Sequence, residues 1–201
     1  IPGSKSFFKK LRQICDKYNS LLIFDEVQSG VGRTGKMWGY ENIGIEPDGF
    51  TLAKGLGGGH AIGALLVKQK ADIFSPGDHA STFGGNPFAC KAALTVLEEI
   101  NKRNLLRNVY LRGEQLSDGF EKLSKNFPNI IKGKRGLGLI QGLVINQNYA
   151  DAKNITLKAF EKGLLVVPAG GNVVRIVPPL IISRRETNIL LDKLNLIFQE
   201  I

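Results

Sequence analysis

The chain has little cysteine, histidine or methionine, and it has no long apolar run. Two cysteines, Cys15 and Cys90, and two histidines, His60 and His79, are its whole supply of thiol and imidazole. They have no metal-site spacing, so no zinc centre is expected. The cysteines lie far apart, beside apolar residues in helix-like patterns. They are read as two buried free thiols of a reducing, cytoplasmic compartment. Both histidines fall in glycine-containing loops and are read as loop residues rather than ligands. No stretch approaches the roughly 20 apolar residues of a membrane span. Ile1-Pro2-Gly3-Ser4-Lys5 lacks the basic segment and apolar core of a secretory leader. The only methionine is Met37, and the first segment already reads as the middle of a fold. The expectation is the C-terminal part of a longer chain.

What is present is an ordinary globular mixture. Apolar residues make up 43% of the chain and charged residues 22%, which favours a buried core over disorder. The length suffices for one domain with a real core or for two small ones. No repeat, low-complexity tract or long linker interrupts it. The net charge of +9 is unevenly placed: residues 1–102 carry 12 Lys and Arg against 10 Asp and Glu, and residues 103–201 carry 15 against 8. Only Lys132, Lys134 and Arg135 cluster, and aromatics do not interleave the basic residues. A solvated surface is expected, and no nucleic-acid partner.

Periodicity divides the chain in two. Phe7, Phe8, Leu11, Ile14, Cys15 and Tyr18 form one apolar stripe and predict a helix over 5–18. The unbroken run Leu21-Leu22-Ile23-Phe24 suits a parallel strand buried on both faces, and it ends in Asp25-Glu26. Phe50-Thr51-Leu52-Ala53, ending in Lys54, and Ala64-Leu65-Leu66-Val67 predict two further strands. Asn86-Pro87 opens a helix, with asparagine as the cap and proline in the first position. A second helix is predicted over about 105–123. Residues 136–145 read as one strand, grouped antiparallel with 130–132. Residues 150–162 read as a helix stopped by Gly163, and 164–167 and 173–177 as short strands. Ser183-Arg184-Arg185-Glu186 has the form of a capping box and opens a last helix. Residues 1–102 are therefore expected to be α/β with buried strands, and residues 103–201 a smaller α+β unit.

Two charged residues stand where chemistry belongs. In an open α/β sheet, ligands bind beyond the carboxyl ends of the strands, and Asp25 and Lys54 both occupy such ends. A charge directly after a buried strand is costly unless it is exposed, paired or used. On position alone each has an ordinary alternative: Asp25 as the cap of a turn, Lys54 as a surface lysine.

The surrounding words are more specific. Asp25-Glu26-Val27-Gln28-Ser29-Gly30-Val31-Gly32-Arg33-Thr34-Gly35 is followed by Leu52-Ala53-Lys54-Gly55-Leu56-Gly57-Gly58-Gly59. Then come Ser81-Thr82-Phe83-Gly84-Gly85-Asn86-Pro87 and Arg175-Ile176-Val177-Pro178-Pro179-Leu180. In order and spacing these resemble the class III aminotransferases, which use pyridoxal 5'-phosphate. The resemblance implies a fold-type-I transferase. Residues 1–102 would be the C-terminal part of its large, mainly parallel α/β cofactor domain, and residues 103–201 its small α+β domain. It implies Lys54 as the lysine that carries the cofactor and Asp25 as the partner of the pyridine nitrogen. Glu26, Val27 and Gln28 join the cofactor set, Val27 on a ring face and Gln28 near the ring hydroxyl. Thr82 is implied to reach the phosphate of the partner subunit's cofactor, in a homodimer with the site at the subunit interface. Ser81 and Arg175 are implied substrate contacts, Arg175 for a carboxylate. These types suit the chemistry. A carboxylate keeps the pyridine nitrogen protonated, burial near a cationic group favours the neutral lysine amine, and the arginine fork matches a carboxylate. Ser81 and Thr82 have the alternative of a loop cap, and Arg175 that of a surface ion pair.

Two other glycine-rich words fail. Gly30-Val31-Gly32-Arg33-Thr34-Gly35-Lys36 nearly spells a phosphate-binding loop, but Met37 stands where a Ser or Thr should hold magnesium. Residues 55–63 do not fit the dinucleotide fingerprint, because His60 and Ile62 stand where its last glycine belongs. Within the family, Arg135-Gly136-Leu137-Gly138-Leu139-Ile140-Gln141-Gly142 and Gly163-Leu164-Leu165-Val166-Val167-Pro168-Ala169-Gly170 resemble the acetylornithine branch. Ornithine, succinylornithine and 4-aminobutyrate enzymes are near neighbours. The implied substrates are a small amino donor and a 2-oxo acid. The family's other phosphate turn, ring-stacking aromatic and second substrate arginine are not among these residues, so the 201 residues alone are expected to be inactive.

Overall fold

Ser4 starts the first element: its hydroxyl accepts the N–H of Phe7 at 3.2 Å, and helix α1 follows over Lys5–Lys17. The computed structural model describes residues 1–201. Asn19, at φ 50, turns the chain out of α1. Three short strands follow, β1 (Ile23–Asp25), β2 (Gly49–Leu52) and β3 (Ala64–Val67), in the order β1-β2-β3. β1 runs parallel to β2, and β3 runs antiparallel to it. Leu21 and Leu22 stay outside the expected strand because the N–H of Leu22 goes to the Asp48 carboxylate at 2.8 Å. After a loop, Asn86 caps α2 (Pro87–Lys102) by accepting the N–H of Ala89 at 3.0 Å.

Burial differs from expectation in two places. Within these 201 residues the strands are covered on one face, with Ile23 51% exposed and Leu65 47%. Phe8 of α1 packs edge-on against Phe24, with ring centroids 5.6 Å apart. Trp38 and Tyr40 pack on Phe50 at 5.3 and 5.4 Å. Side chains alternate along a strand and Phe24 lies opposite Phe50, so these contacts cover one face and leave the other open. Cys15 is a buried free thiol, but Cys90 is exposed. Ala89 and Ala93 supply the buried stripe of α2, and Cys90 points away from it.

The amino ends of β1 and β2 meet at Asp48. Its backbone N–H donates to Leu22 O at 2.7 Å, and its carbonyl accepts the N–H of Lys68 at 2.8 Å. Its buried carboxylate accepts from Leu22 N, pairs with Arg12 of α1 at 2.8 Å, and pairs with Lys70 at 2.5 Å. Burial by itself would raise this carboxyl's pKa. The Leu22 N–H, Lys70 and Arg12 together hold it well below the usual carboxylate range.

The second unit is built on α3 (Leu105–Asn126), α4 (Ala152–Glu161) and α5 (Arg184–Gln199). Its sheet contains β4 (Ile131–Leu137), β5 (Ile140–Ile145), β6 (Val167–Ala169) and β7 (Val173–Ile176), in the order β4-β5-β7-β6, with every pairing antiparallel. The single strand expected over 136–145 is a hairpin. Gly138, at φ 52, makes the turn, and the buried Gln141 amide pins it by donating to Gly113 O at 2.7 Å and Gly138 O at 2.8 Å. The strand expected over 164–167 starts later, because the N–H of Leu164 closes the end of α4 on Ala159 O at 2.8 Å. Phe120, Leu143, Ile155, Leu194 and Phe198 belong to one buried cluster between these layers. Ser183 and Glu186 form the reciprocal cap of α5. The chain groups into two compact units, Gly3–Leu106 and Arg107–Ile201 with Ile1–Pro2, so the division falls within the first turn of α3. No helix is long and apolar enough to cross a membrane.

Asp48→Asn leaves the half-buried Arg12 with Asp16 as its remaining ion-pair partner, which is expected to destabilise the full-length protein by about 2 kcal/mol. Because the folded carboxyl's pKa is depressed, its contribution is complete above the unfolded carboxylate pKa and is lost as pH falls through the folded value. Urea melts across a pH series should show the wild type converging on Asp48→Asn in acid. A constant gap between the two would contradict this.

Candidate functional site

Parallel strands bring their carboxyl ends to one edge of a sheet. In β1 and β2 the register sets Ile23 opposite Gly49, Phe24 opposite Phe50 and Asp25 opposite Thr51. Asp25 closes β1 at that edge. Lys54 lies just beyond Leu52-Ala53, at the end of β2. An acid and an amine from separate sequence words are thereby placed on neighbouring strand ends.

Asp25 is exposed, and its Oδ1 accepts the Val27 N–H at 3.0 Å and the Thr51 hydroxyl at 3.4 Å. The turn-capping alternative is thus realised on one oxygen, Oδ1. Lys54 opens a short 3-10 turn, Lys54–Gly57, with its own backbone at φ 44. A non-glycine residue in this left-handed region costs about 1 kcal/mol or more, and it persists because its surroundings enforce it. Leu56 anchors the turn in the interior. Gly58 lies so close to α2 that an added Cβ would meet Val96 at 2.9 Å. Lys54 itself is exposed. The burial expected to favour its neutral amine is not supplied by these residues, whose sheet is covered on one face.

The other expected residues separate by role. Gln28 is exposed and Val27 half-buried on the turn after β1. Glu26 turns the opposite way: it is 3% exposed, and its oxygens accept the N–H groups of Gly39 at 2.5 Å and Tyr40 at 2.6 Å. Burial raises its pKa, and the two N–H bonds oppose that rise. The direct cofactor contact expected of Glu26 is therefore corrected, since both oxygens are committed to backbone. Ser81 and Thr82 lie in the exposed loop before α2, where the Ser81 hydroxyl accepts the Gly84 N–H at 3.0 Å. Arg175, in the second unit, sits within β7 with Gly142 and Val167 as its strand partners. Its Nε is buried without a hydrogen-bond partner, and it makes no ion pair in the chain. The surface ion pair weighed from the sequence is not formed.

The phosphate-loop word forms turns closed on themselves, with the Gly32 N–H on Met37 O at 3.0 Å. The next helical piece is only the 3-10 turn Gly39–Asn42, not the α-helix such a loop requires. His60 packs edge-on against Phe88, with centroids 4.8 Å apart. Thr51 was not singled out from the sequence. A threonine in a strand has no local marker, and only the register sets it across from Asp25.

A family model described as aminotransferase class-III matches residues 1–198. Among curated relatives, the acetylornithine aminotransferase of Prochlorococcus marinus subsp. pastoris is 78% identical over 200 residues, covering 100% of this chain and 48% of the relative. That of Nostoc sp. is 52% identical over 194 residues, covering 96% of this chain and 45% of the relative. Among solved structures, acetylornithine aminotransferase from Elizabethkingia anophelis matches with a TM-score of 0.91 at 34% identity, covering 100% of this chain and 51% of that one. Ornithine aminotransferase from Plasmodium yoelii matches at 0.93 and 29%, covering 100% and 53%. The chain spans about half the length of the curated relatives it matches.

The Thr51 contact with Asp25 is long and exposed, so its net worth lies at the low end for an ordinary hydrogen bond, about 0.6 kcal/mol. In the full-length protein Thr51→Val is expected to weaken pyridoxal-phosphate binding about threefold, measured by titrating the apoprotein. An unchanged affinity would remove Thr51 from the site.

Proposed function

Because the chain belongs to the class III aminotransferases, a pyridoxal-phosphate-dependent family of fold type I, we propose that the whole protein transfers the terminal amino group of N-acetylornithine to 2-oxoglutarate. The products are N-acetylglutamate semialdehyde and glutamate, in a step of arginine biosynthesis. The observation that carries the reading is the pair Asp25 and Lys54 at the carboxyl ends of adjoining parallel strands. The acetylornithine assignment rests on the curated relatives. Ornithine is the second reading, favoured by the likeness to solved ornithine aminotransferases. Residues 1–102 are taken as part of the large cofactor domain and 103–201 as the small domain. The protein is taken as a cytoplasmic homodimer.

The residues present suit the cofactor: Asp25 offers an exposed carboxylate whose hydrogen bonds are all on Oδ1, Lys54 an exposed amine with no bond in the chain, and Gln28 an exposed amide on the turn after β1. When bound, pyridoxal phosphate supplies the carbonyl and the electron-withdrawing ring that ease removal of a proton from the substrate carbon. Asp25 would keep a proton on the ring nitrogen, Val27 would pack on a ring face and Gln28 would meet the ring hydroxyl. Lys54 would hold the cofactor and, as a free amine, would move the proton from the amino-bearing carbon of the substrate. Arg175 would hold a substrate carboxylate with its fork, Ser81 would be a further substrate contact, and Thr82 would reach the phosphate of the partner subunit's cofactor.

Borohydride reduction of the full-length protein should attach the cofactor to Lys54, and Lys54→Ala should lose the label. A label on another lysine would sink the central assignment. A panel of N-acetylornithine, ornithine and 4-aminobutyrate separates the two readings, with the first expected to have the highest kcat/KM. Arg175→Lys keeps the charge and loses the planar fork, so KM for the carboxylate substrate is expected to rise about tenfold or more, with a smaller change in kcat. An unchanged KM would reassign Arg175.

A further inference from the structure

Residues 26–48 link β1 to its parallel neighbour β2. Such crossovers are most often α-helical, and a helix carries its own backbone bonds. Here the link is made of turns and the single 3-10 turn Gly39–Asn42, so it depends on side chains to hold it. On one side, Trp38 and Tyr40 pack on Phe50. On the other stands Glu26, the residue between Asp25 and Val27.

Every polar group of Glu26 is used. Its N–H donates to Thr51 O at 3.0 Å, which extends the β1–β2 ladder, and its carbonyl accepts the Gly30 N–H at 3.0 Å, which closes the turn. Its carboxylate accepts from the consecutive N–H groups of Gly39 and Tyr40. It has no cationic partner, and burial disfavours its charge. A buried charge with this cost requires a use. Adjacent residues of an extended chain point to opposite sides, so a Glu26 pinned inward commits Asp25 outward. Two N–H groups aimed at one side chain also require two acceptors. A carboxylate supplies both, whereas an amide supplies one oxygen and sets an NH2 against the other N–H.

We propose that Glu26 is a positioning residue: it fastens the crossover beneath the end of β1 and so sets where Asp25, Val27 and Gln28 meet the cofactor, without touching the cofactor itself. This rests on the aminotransferase reading.

The test uses the full-length protein with Glu26→Gln and Gly39→Ala. A Cβ at Gly39 would lie 3.2 Å from Glu26 Oε2 and 3.0 Å from Ser29 Cβ, so this variant loosens the same clasp from its other side while keeping the acid. Three quantities are read: circular dichroism of the apoprotein, the Kd for pyridoxal phosphate, and the pH titration of the bound cofactor's absorbance. Glu26→Gln should remain folded, with Kd raised roughly tenfold or more and a shifted absorbance titration. Gly39→Ala should change both in the same direction by less. If Glu26→Gln does not fold, Gly39→Ala decides alone. Wild-type affinity and absorbance in the folded variants would overturn the proposal. So would a silent Gly39→Ala beside a defective, folded Glu26→Gln, because that pattern marks direct contact. A wild-type protein that does not bind the cofactor would instead overturn the aminotransferase reading.

Discussion

Parallel pairing of two short strands is the constraint on which the first unit rests. A β1–β2 pair this short offers few ladder bonds, and it is fastened at both ends by buried carboxylates. At the amino end Asp48 collects Leu22, Arg12 and Lys70. At the carboxyl end Glu26 collects Gly39 and Tyr40. The physics of the two differs. Asp48 is compensated by cations and is held in its charged form. Glu26 has only N–H dipoles and bears the cost of burial. The first end needs strength, since it joins α1, β1, β2 and the chain after β3. The second needs aim, since the next side chains along it are Asp25, Val27 and Gln28.

The open side of the sheet follows from the same geometry. Phe24 and Phe50 face α1 and the Trp38–Tyr40 pair, so Ile23, Asp25 and Leu65 face outward. Lys54 is presented at that edge by a backbone in a costly conformation, supported by buried Leu56 and the close approach of Gly58 to α2. The second unit solves a different problem. Its sheet and helices enclose a complete apolar cluster, and Arg175 is held within β7 with one guanidine nitrogen buried and unpartnered.

Much of the fold was legible in the residues. Helix starts at Ser4, Asn86 and Ser183 carry their caps locally, and each cap is made. The positions of Lys54 and Asp25 at strand ends were also legible, because each follows an apolar run of strand length and stands in a distinctive word. Less legible were the features that depend on a distant partner. The apolar run 21–24 predicted burial on both faces, yet burial depends on what else is present to cover it. The 136–145 segment read as one strand, because a glycine's φ does not show in an alternating pattern. Cys90 read as buried because it stands next to Ala89, although on a helix the adjacent residue points elsewhere.

By itself the sequence determined the helix caps, the apolar stripes, the two-part organisation and the words containing Asp25, Lys54 and Arg175. All of these depend on near neighbours along the chain. Only the tertiary structure decided that Thr51 stands across from Asp25, that Lys54 is exposed on a left-handed backbone, that Arg175 lacks an ion-pair partner, and that Glu26 faces inward. The physical reason is the same in each case. Strand register, burial and the destination of a buried carboxylate are set by groups remote in sequence, and no local pattern encodes which of them will arrive.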